Sequence, residues 1–288
     1  MKTYQDFLEI AEKGEQARME FVLSAINAYK GTDLYKTALL AREYDEHRNV
    51  TIMNYQKLLY TLSGQSIPDN YSANYKLRSN FFASFVTQET QYLLGNGVTL
   101  KDAGHKERLG ATFDNRLQDI GHDSIVAGVA YGFWNLDHLE TFTALEFAPL
   151  LDEETGAVRA GVRWWQVSSD KPLRATLFEV DGFTQYIRRK GKQMEVLKPK
   201  RGYVAVVASS VVDGTEIMEY RNYPGFPVIP MYANRAKQSE LEGLREKIDC
   251  YDLISSGFAN TVDEASIIYW TISNAGGMDE IDMAKFKD

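Results

Sequence analysis

The chain has 288 residues, a net charge of −8 and one cysteine, and it is 44% apolar and 25% charged. That is an ordinary globular composition with enough apolar residues for a sizeable core. It excludes a disulfide framework within one chain, and its sign weighs against a tight static grip on nucleic acid, which calls for net positive charge.

The opening MKTYQDFLEIAEKGEQ carries no apolar leader, and no run reaches the ~20 apolar residues of a membrane span. From Phe7 to Tyr29 the apolar residues Phe7, Ile10, Ala11, Ala17, Phe21, Val22, Ile26 and Tyr29 recur mostly every three or four positions, which predicts helix. Gly31 closes it, and Thr32-Asp33 caps a second helix with Leu34, Tyr35, Ala38, Leu39 and Ala41. That helix fades into the charged run Arg42 to Arg48, read as a solvated face. Pro68-Asp69-Asn70 marks a loop. A helix from about Asn74 to Leu94 is expected to bury Leu77, Phe81, Phe82, Phe85, Val86, Tyr92 and Leu93, with Gly95 as a left-handed cap. Another is expected from about Lys106 to Ile120. Ser124 to Tyr131 then reads as a small-residue helix or a tight packing segment, whose Gly128 lets a second backbone come close.

From Gly132 the period changes to that of strands. Leu136–Glu140, Thr141–Pro149, Val158–Val167, Arg174–Val180, Thr184–Arg189, Tyr203–Ala208 and Glu216–Tyr220 are expected to form one meandering antiparallel sheet. Turn chemistry stands between them at Asp152 to Gly156, Asp181-Gly182, Lys190-Gly191-Lys192 and Asp213-Gly214. Val228 to Tyr232 is a last short strand. A long helix runs from about Ser239 past Thr261, with Leu241, Leu244, Ile248, Tyr251, Phe258 and Val262 almost on a heptad. Two readings stay open for it: a core helix, or one that packs on copies of itself through Leu241, Leu244, Ile248, Tyr251 and Phe258. The predicted class is therefore α+β, with a helical part at 1–125, an antiparallel β-rich part at 126–235 and a long helix within 236–288. The 17 Tyr, 14 Phe and 4 Trp suit subunit contacts as well as a core.

Catalytic and cofactor signatures are missing from the sequence. There is no phosphate loop, and Gly95-Asn96-Gly97 follows a helix and is too short for a dinucleotide fingerprint. His47, His105, His122 and His138 lack zinc spacing and read as surface or loop residues. Asp152, Glu153 and Glu154 read as a hairpin tip, since a calcium loop alternates its ligands around a central Gly. No Gly-x-Ser-x-Gly elbow occurs. No catalytic, cofactor or metal residue is assigned, and the chain is not expected to be an enzyme. The one basic patch is Arg188, Arg189, Lys190 and Lys192, followed by Lys198, Lys200 and Arg201. It reads as a solvated hairpin or, alternatively, as a DNA contact.

Three blocks together resemble one family. They are Ala41-Arg42-Glu43-Tyr44-Asp45-Glu46-His47; the stretch Asn74 to Leu100, with Asn80-Phe81, Val86 and Tyr92-Leu93-Leu94-Gly95; and Pro227 to Asn234 followed by Ser239-Glu240-Leu241, Ile248 to Asp252 and Asn260. In this order, with a strand-rich region between, they resemble the N-terminal and central part of portal proteins of tailed bacteriophages, of the type found in long-tailed phages of Gram-positive bacteria. Members of that family typically continue well past Asp288.

The resemblance implies a ring-forming, typically dodecameric structural protein at one capsid vertex. It would form the channel for DNA packaging and ejection and dock the terminase large subunit. Its further partners would be other copies of itself, major capsid or scaffolding protein and head–tail connector proteins. Assembly would take place in the host bacterial cytoplasm, with no membrane partner and no cofactor. Residues 1–125 and 126–235 would form the wing, and the helix within 236–288 would lead toward the channel. The competing reading is a carbohydrate-binding module or small hydrolase on the 132–220 sheet, with Trp164-Trp165 as platform. Adjacent strand residues point to opposite faces, which weakens that platform.

Overall fold

The protein is described from a computed structural model that covers residues 1–61, 63–69, 72–212 and 215–265. The expected turn at Asp213-Gly214, the loop residue Asn70 and everything past Ala265 lie outside the described residues. The chain is α+β, with eight helices and twelve strands among the described residues. In chain order they are α1 (Tyr4–Ala11), α2 (Glu15–Lys30), α3 (Asp33–Asp45), α4 (Val50–Asn54), β1 (Leu58–Tyr60), β2 (Ser66–Pro68), α5 (Phe81–Leu94), α6 (Ala103–Arg108) and α7 (Phe113–Ala127). There follow β3 (Val129–Asn135), β4 (His138–Thr143), β5 (Phe147–Leu151), β6 (Val158–Trp165), β7 (Leu173–Glu179), β8 (Gly182–Arg188), β9 (Met194–Arg201), β10 (Val204–Val212), β11 (Thr215–Arg221), β12 (Val228–Tyr232) and α8 (Leu241–Ala265). No described helix is long and apolar enough to cross a membrane.

The chain divides into two compact units: Met1–Val50 with Arg78–Ile248, and Thr51–Leu77 with the chain from Asp249 onward. The first unit holds a five-stranded sheet in the order β5-β6-β7-β8-β9, a three-stranded sheet β12-β3-β4 and the hairpin β10-β11. Every named strand pair is antiparallel. The expected single meander is thus divided among three sheets: β4 joins β3, which pairs on its other side with β12, nearly 100 residues further along the chain, β5 to β8 lie in the five-stranded sheet, and β10 and β11 form a hairpin of their own. Pro149, Pro199 and Pro230 lie in β5, β9 and β12, which are edge strands of these sheets. An edge position is where a residue without an N–H does least harm.

One face of the five-stranded sheet is covered by α1 and α2. Phe7, Phe21, Val22, Ile26 and Tyr29 meet Leu150, Val162, Trp164, Leu177 and Tyr186 there. A second core joins the two larger sheets and is aromatic: Tyr131, Phe133, Phe142, Phe147, Phe178 and Tyr203. A third unites α3, α5, α7 and the start of α8 through Ala41, Tyr44, Phe82, Val86, Ile125, Leu241 and Ile248. The Thr32 cap forms as read, its Oγ1 accepting the Tyr35 N–H at 3.3 Å.

Several boundaries move. The helix expected from Asn74 begins at Phe81, and residues 74–80 form no regular element. Gly95 is right-handed (φ −60°), and the positive φ comes two residues later, at Gly97. The helix expected from Lys106 to Ile120 is two helices, interrupted at Gly110 (φ +79°). On α5 only Phe82, Val86 and Thr90 are buried, while Phe85, Tyr92 and Leu93 are exposed, against the expectation that all three were core. Strands β1, β2, β3 and β9 were not anticipated; β3 takes the end of the 124–131 segment and runs on to Asn135.

In the second unit, β1 and β2 form a two-stranded antiparallel ribbon, Leu58 opposite Pro68 and Tyr60 opposite Ser66. The segment 72–77 and the part of α8 from Asp249 complete the described residues of this unit.

Candidate assembly surfaces

From Asp249 to Ala265, α8 reads DCYDLISSGFANTVDEA. Its polar residues Asp252, Ser256 and Asn260 fall every four positions, and all three are buried. The reason lies in the irregular segment 72–77, whose backbone has no strand partner among the described residues. Ser256 Oγ accepts the Leu77 N–H at 2.9 Å, and Asn260 Oδ1 accepts the Tyr75 N–H at 2.6 Å. Buried backbone donors have to be satisfied somewhere, and here two helix side chains do it. An ion pair of 3.2 Å between Lys57 and Glu264 ties the foot of the β1–β2 ribbon to α8, and Lys76 Nζ donates to the Met53 carbonyl at 2.6 Å.

With the polar stripe turned inward, the apolar stripe faces solvent. Tyr251, Ile254, Phe258 and Val262 are all more than half exposed. Together with Tyr75, part of this stripe bounds an open depression of about 440 Å³. An amphipathic helix with its polar side buried and its apolar side bare reverses the usual arrangement and marks an interaction surface. The five residues chosen from the heptad divide accordingly. Leu241 and Ile248 are buried in the α3–α5–α7 core, Leu244 packs half-buried against it, and Tyr251 and Phe258 are exposed in the second unit. Spacing missed Ile254 and the ribbon residues Leu58, Leu59, Tyr60 and Ile67. The signal for Ile254 was present in the four-residue repeat of Asp252, Ser256 and Asn260, which fixes the opposite face of α8.

The basic cluster lies on the β8–β9 hairpin. Arg188 ends β8, and Arg189, Lys190 and Lys192 surround Gly191 (φ +72°) in the turn; all four are exposed. Arg189 pairs with Glu195 across the hairpin. Lys200 is bound to Glu179 at 3.0 Å, and the Arg201 guanidinium stacks 4.9 Å from the Phe183 ring centroid. The sequence cluster therefore splits into a solvated tip and two cations engaged at the base of the strands.

A cleft of about 460 Å³ between the sheets is lined by Phe133, Arg163, Trp165, Phe178, Arg201 and Tyr203 among others. Arg163 sits 4.2 Å over the Phe142 ring and pairs with Glu140 at 3.1 Å and Glu146 at 3.8 Å. These charges offset one another and hold β4, β6 and the turn before β5 together. Trp164 is buried against Tyr29 of α2, with ring centroids 5.9 Å apart, so it cannot serve as half of a sugar platform. The described residues contain no group of three or more His, Cys, Asp or Glu placed to hold a metal ion.

His47, His105 and His138 are exposed, whereas His122 is half-buried and lies within α7, not in a loop. Its ring lies beside Asp123 (3.8 Å) and Asp45 of α3 (3.4 Å). Hydrogen bonding to these two carboxylates, Asp123 foremost, pushes the imidazole pKa up to about 10. An unfolded imidazole titrates near ~6.5. The raised value means that the charged ring stabilises the fold fully below pH ~6.5, and that this contribution fades as the pH climbs toward 10. His122→Gln should thus cost about 1–2 kcal/mol at pH 6, a charged hydrogen bond discounted for partial exposure, and close to nothing at pH 10. Urea denaturation of both proteins at the two pH values checks it; an equal cost at both would reject the charged clasp.

Two comparisons bear on these surfaces. A family model described as phage portal protein, SPP1 Gp6-like, matches residues 23–288. No curated protein sequence matches the chain.

Proposed function

Because this chain belongs to the phage portal protein family of the SPP1 Gp6-like type, we propose that it is one subunit of a ring at the special vertex of a tailed-phage capsid. Its copies would enclose the channel through which double-stranded DNA enters during packaging and leaves at ejection. The family match over residues 23–288 is the observation that carries this reading. The family is structural, not enzymatic, and its place is the virion. Docking of the terminase large subunit, contact with capsid or scaffolding protein and hand-over to head–tail connectors belong to the proposal, as does a dodecameric count. So does the division into wing (1–125 and 126–235) and a helix leading to the channel (236–288).

Physical chemistry supports the conduit. A net charge of −8 keeps attraction to phosphates weak, and strong attraction at many points would stall a moving duplex. The exposed tip Arg188, Arg189, Lys190 and Lys192 is then the candidate for a local DNA contact, and the bare stripe of α8 for contact between copies. A sugar-binding or hydrolytic reading has no observation in its favour.

Light scattering after size exclusion, with negative-stain imaging of the same fractions, tests the proposal. Closed rings, or a reversible series of oligomers, are the expected result. A single-chain mass at every concentration up to about 100 μM, far above the dissociation constants of specific interfaces, would reject it.

A further inference from the structure

We propose that residues 72–77 are a strap on α8 that lifts as one piece, far more readily than the fold comes apart, and bares a polar face of the helix beneath. The inference does not depend on the ring reading.

Polar contacts hold the strap. The Tyr75 N–H goes to Asn260 Oδ1 at 2.6 Å and the Leu77 N–H to Ser256 Oγ at 2.9 Å, while the Ser256 hydroxyl donates in turn to the Leu77 carbonyl at 3.4 Å. Between them, Lys76 Nζ donates to the Met53 carbonyl at 2.6 Å. No side chain of residues 72–77 is buried. Tyr75 and Leu77 are 50% and 45% exposed, and Ala73 and Lys76 are half-buried. The strap can therefore leave without breaking an apolar core.

The face beneath is built to match. Asp252, Ser256 and Asn260 stand one helical turn apart and are buried. A seat meant to stay shut would carry aliphatic residues there, as α8 does at Leu241 and Ile248 in the first unit. Polar groups instead exchange a protein partner for water when uncovered, so opening adds no hydrophobic penalty. With water as competitor, one such bond favours the closed form by about 2–10-fold. Three or four together give roughly 10²–10³, below the ~10⁴ or more that separates a folded domain from its unfolded state. The bonds must also break together. Tyr75, Lys76 and Leu77 are consecutive, so backbone rotation that frees one spoils the aim of its neighbours.

Hydrogen exchange of the full chain tests this, read at single amides by mass spectrometry with electron-transfer fragmentation. After correction for intrinsic rates, Tyr75 and Leu77 should exchange about 10²–10³-fold slower than an unstructured peptide, and at least about tenfold faster than Val162 and Leu177 in the core of the five-stranded sheet. Lys76→Ala removes one clasp and touches neither acceptor, and it should speed both amides by about 2–10-fold. Asn260→Ala should speed Leu77 as well, although the Ser256 acceptor stays in place. If Lys76→Ala moves only one amide or neither, or if Asn260→Ala leaves Leu77 at its wild-type rate, the bonds act singly and the proposal is overturned. Exchange at Tyr75 and Leu77 as slow as in the sheet core, or as fast as in an unstructured peptide, would overturn it too. Lys76 lies outside every helix and strand, so its variant decides alone should Asn260→Ala fail to fold.

Discussion

Gly128→Ala should lower the stability of the first unit by about 3 kcal/mol and its melting temperature by roughly 10 °C, at 2–4 °C per kcal/mol for a unit of this size. Gly128 caps α7 with φ +86° and ψ −23°, its N–H returning to the Ser124 carbonyl at 2.7 Å. A left-handed alanine alone costs about 1–2 kcal/mol. The rest comes from a second stretch of chain. A Cβ on Gly128 would sit 2.7 Å from the Gln238 carbonyl carbon and 2.9 Å from both Lys237 O and Ser239 N. All three are backbone atoms and cannot rotate away.

The same stretch is stapled to the end of α7. Ser239 Oγ donates to the Val126 carbonyl at 2.5 Å, the Glu240 N–H to Ile125 O at 3.2 Å, and the Ala233 N–H to Gly128 O at 3.3 Å. Ser239 Oγ in turn accepts the Leu241 N–H at 3.1 Å, so this crossing sets where α8 starts. Displacing it should therefore also impair oligomer formation. Gly156→Ala separates the two costs, since Gly156 has φ +67° but nothing within 4 Å of an added Cβ. It should lose only the conformational part, about 1–2 kcal/mol. Equal melting shifts for the two variants would reject the close-approach argument.

The sequence spoke clearly wherever one local rule decided the outcome. Thr32 capped a helix, Gly128 admitted a neighbouring backbone, and β6, β7, β8 and β12 appeared within a residue or two of where alternation put them. It misled where a distant partner decided. Residues 74–80 have a helical apolar pattern, yet Tyr75 and Leu77 give their N–H groups to Asn260 and Ser256, more than 170 positions away. No window over residues 74–80 contains that information. Strand β9 was invisible because Glu195, Lys198, Lys200 and Arg201 with Pro199 form an exposed edge, where alternation is not enforced by a second buried face. The apolar heptad of α8 was read correctly as a stripe. Spacing could not say that the stripe is core as far as Ile248 and bare from Tyr251, because burial is a property of what lies opposite and not of the helix. The candidate surface was therefore half legible: Tyr251 and Phe258 could be found from period alone, whereas the ribbon could not.

The largest single effect is expected at Gly161, for a reason the aromatic cluster makes plain. Gly161 stands in β6 opposite Pro149 of β5 and Phe178 of β7. A Cβ there would lie 2.1 Å from Phe147 Cζ and under 3 Å from both adjoining ring carbons. Phe147 is fully buried, with its centroid 4.5 Å from that of Tyr131, 5.7 Å from Phe142 and 6.4 Å from Phe178. The ring has no open side to retreat into, because its neighbours belong to both larger sheets. Gly161→Val should accordingly cost 3 kcal/mol or more, at or beyond the top of the ~1–3 range for overpacking, and leave little native protein near 37 °C. Phe147→Ala alone should cost about 3–5 kcal/mol through the cavity it opens. Combining them puts the valine methyls where the ring had been, so the double variant should be more stable than the sum of the two losses predicts, by about 1–3 kcal/mol. Urea titrations of the four proteins close the cycle. Strict additivity would mean that the two residues do not share this space and that the joint between the sheets is held some other way.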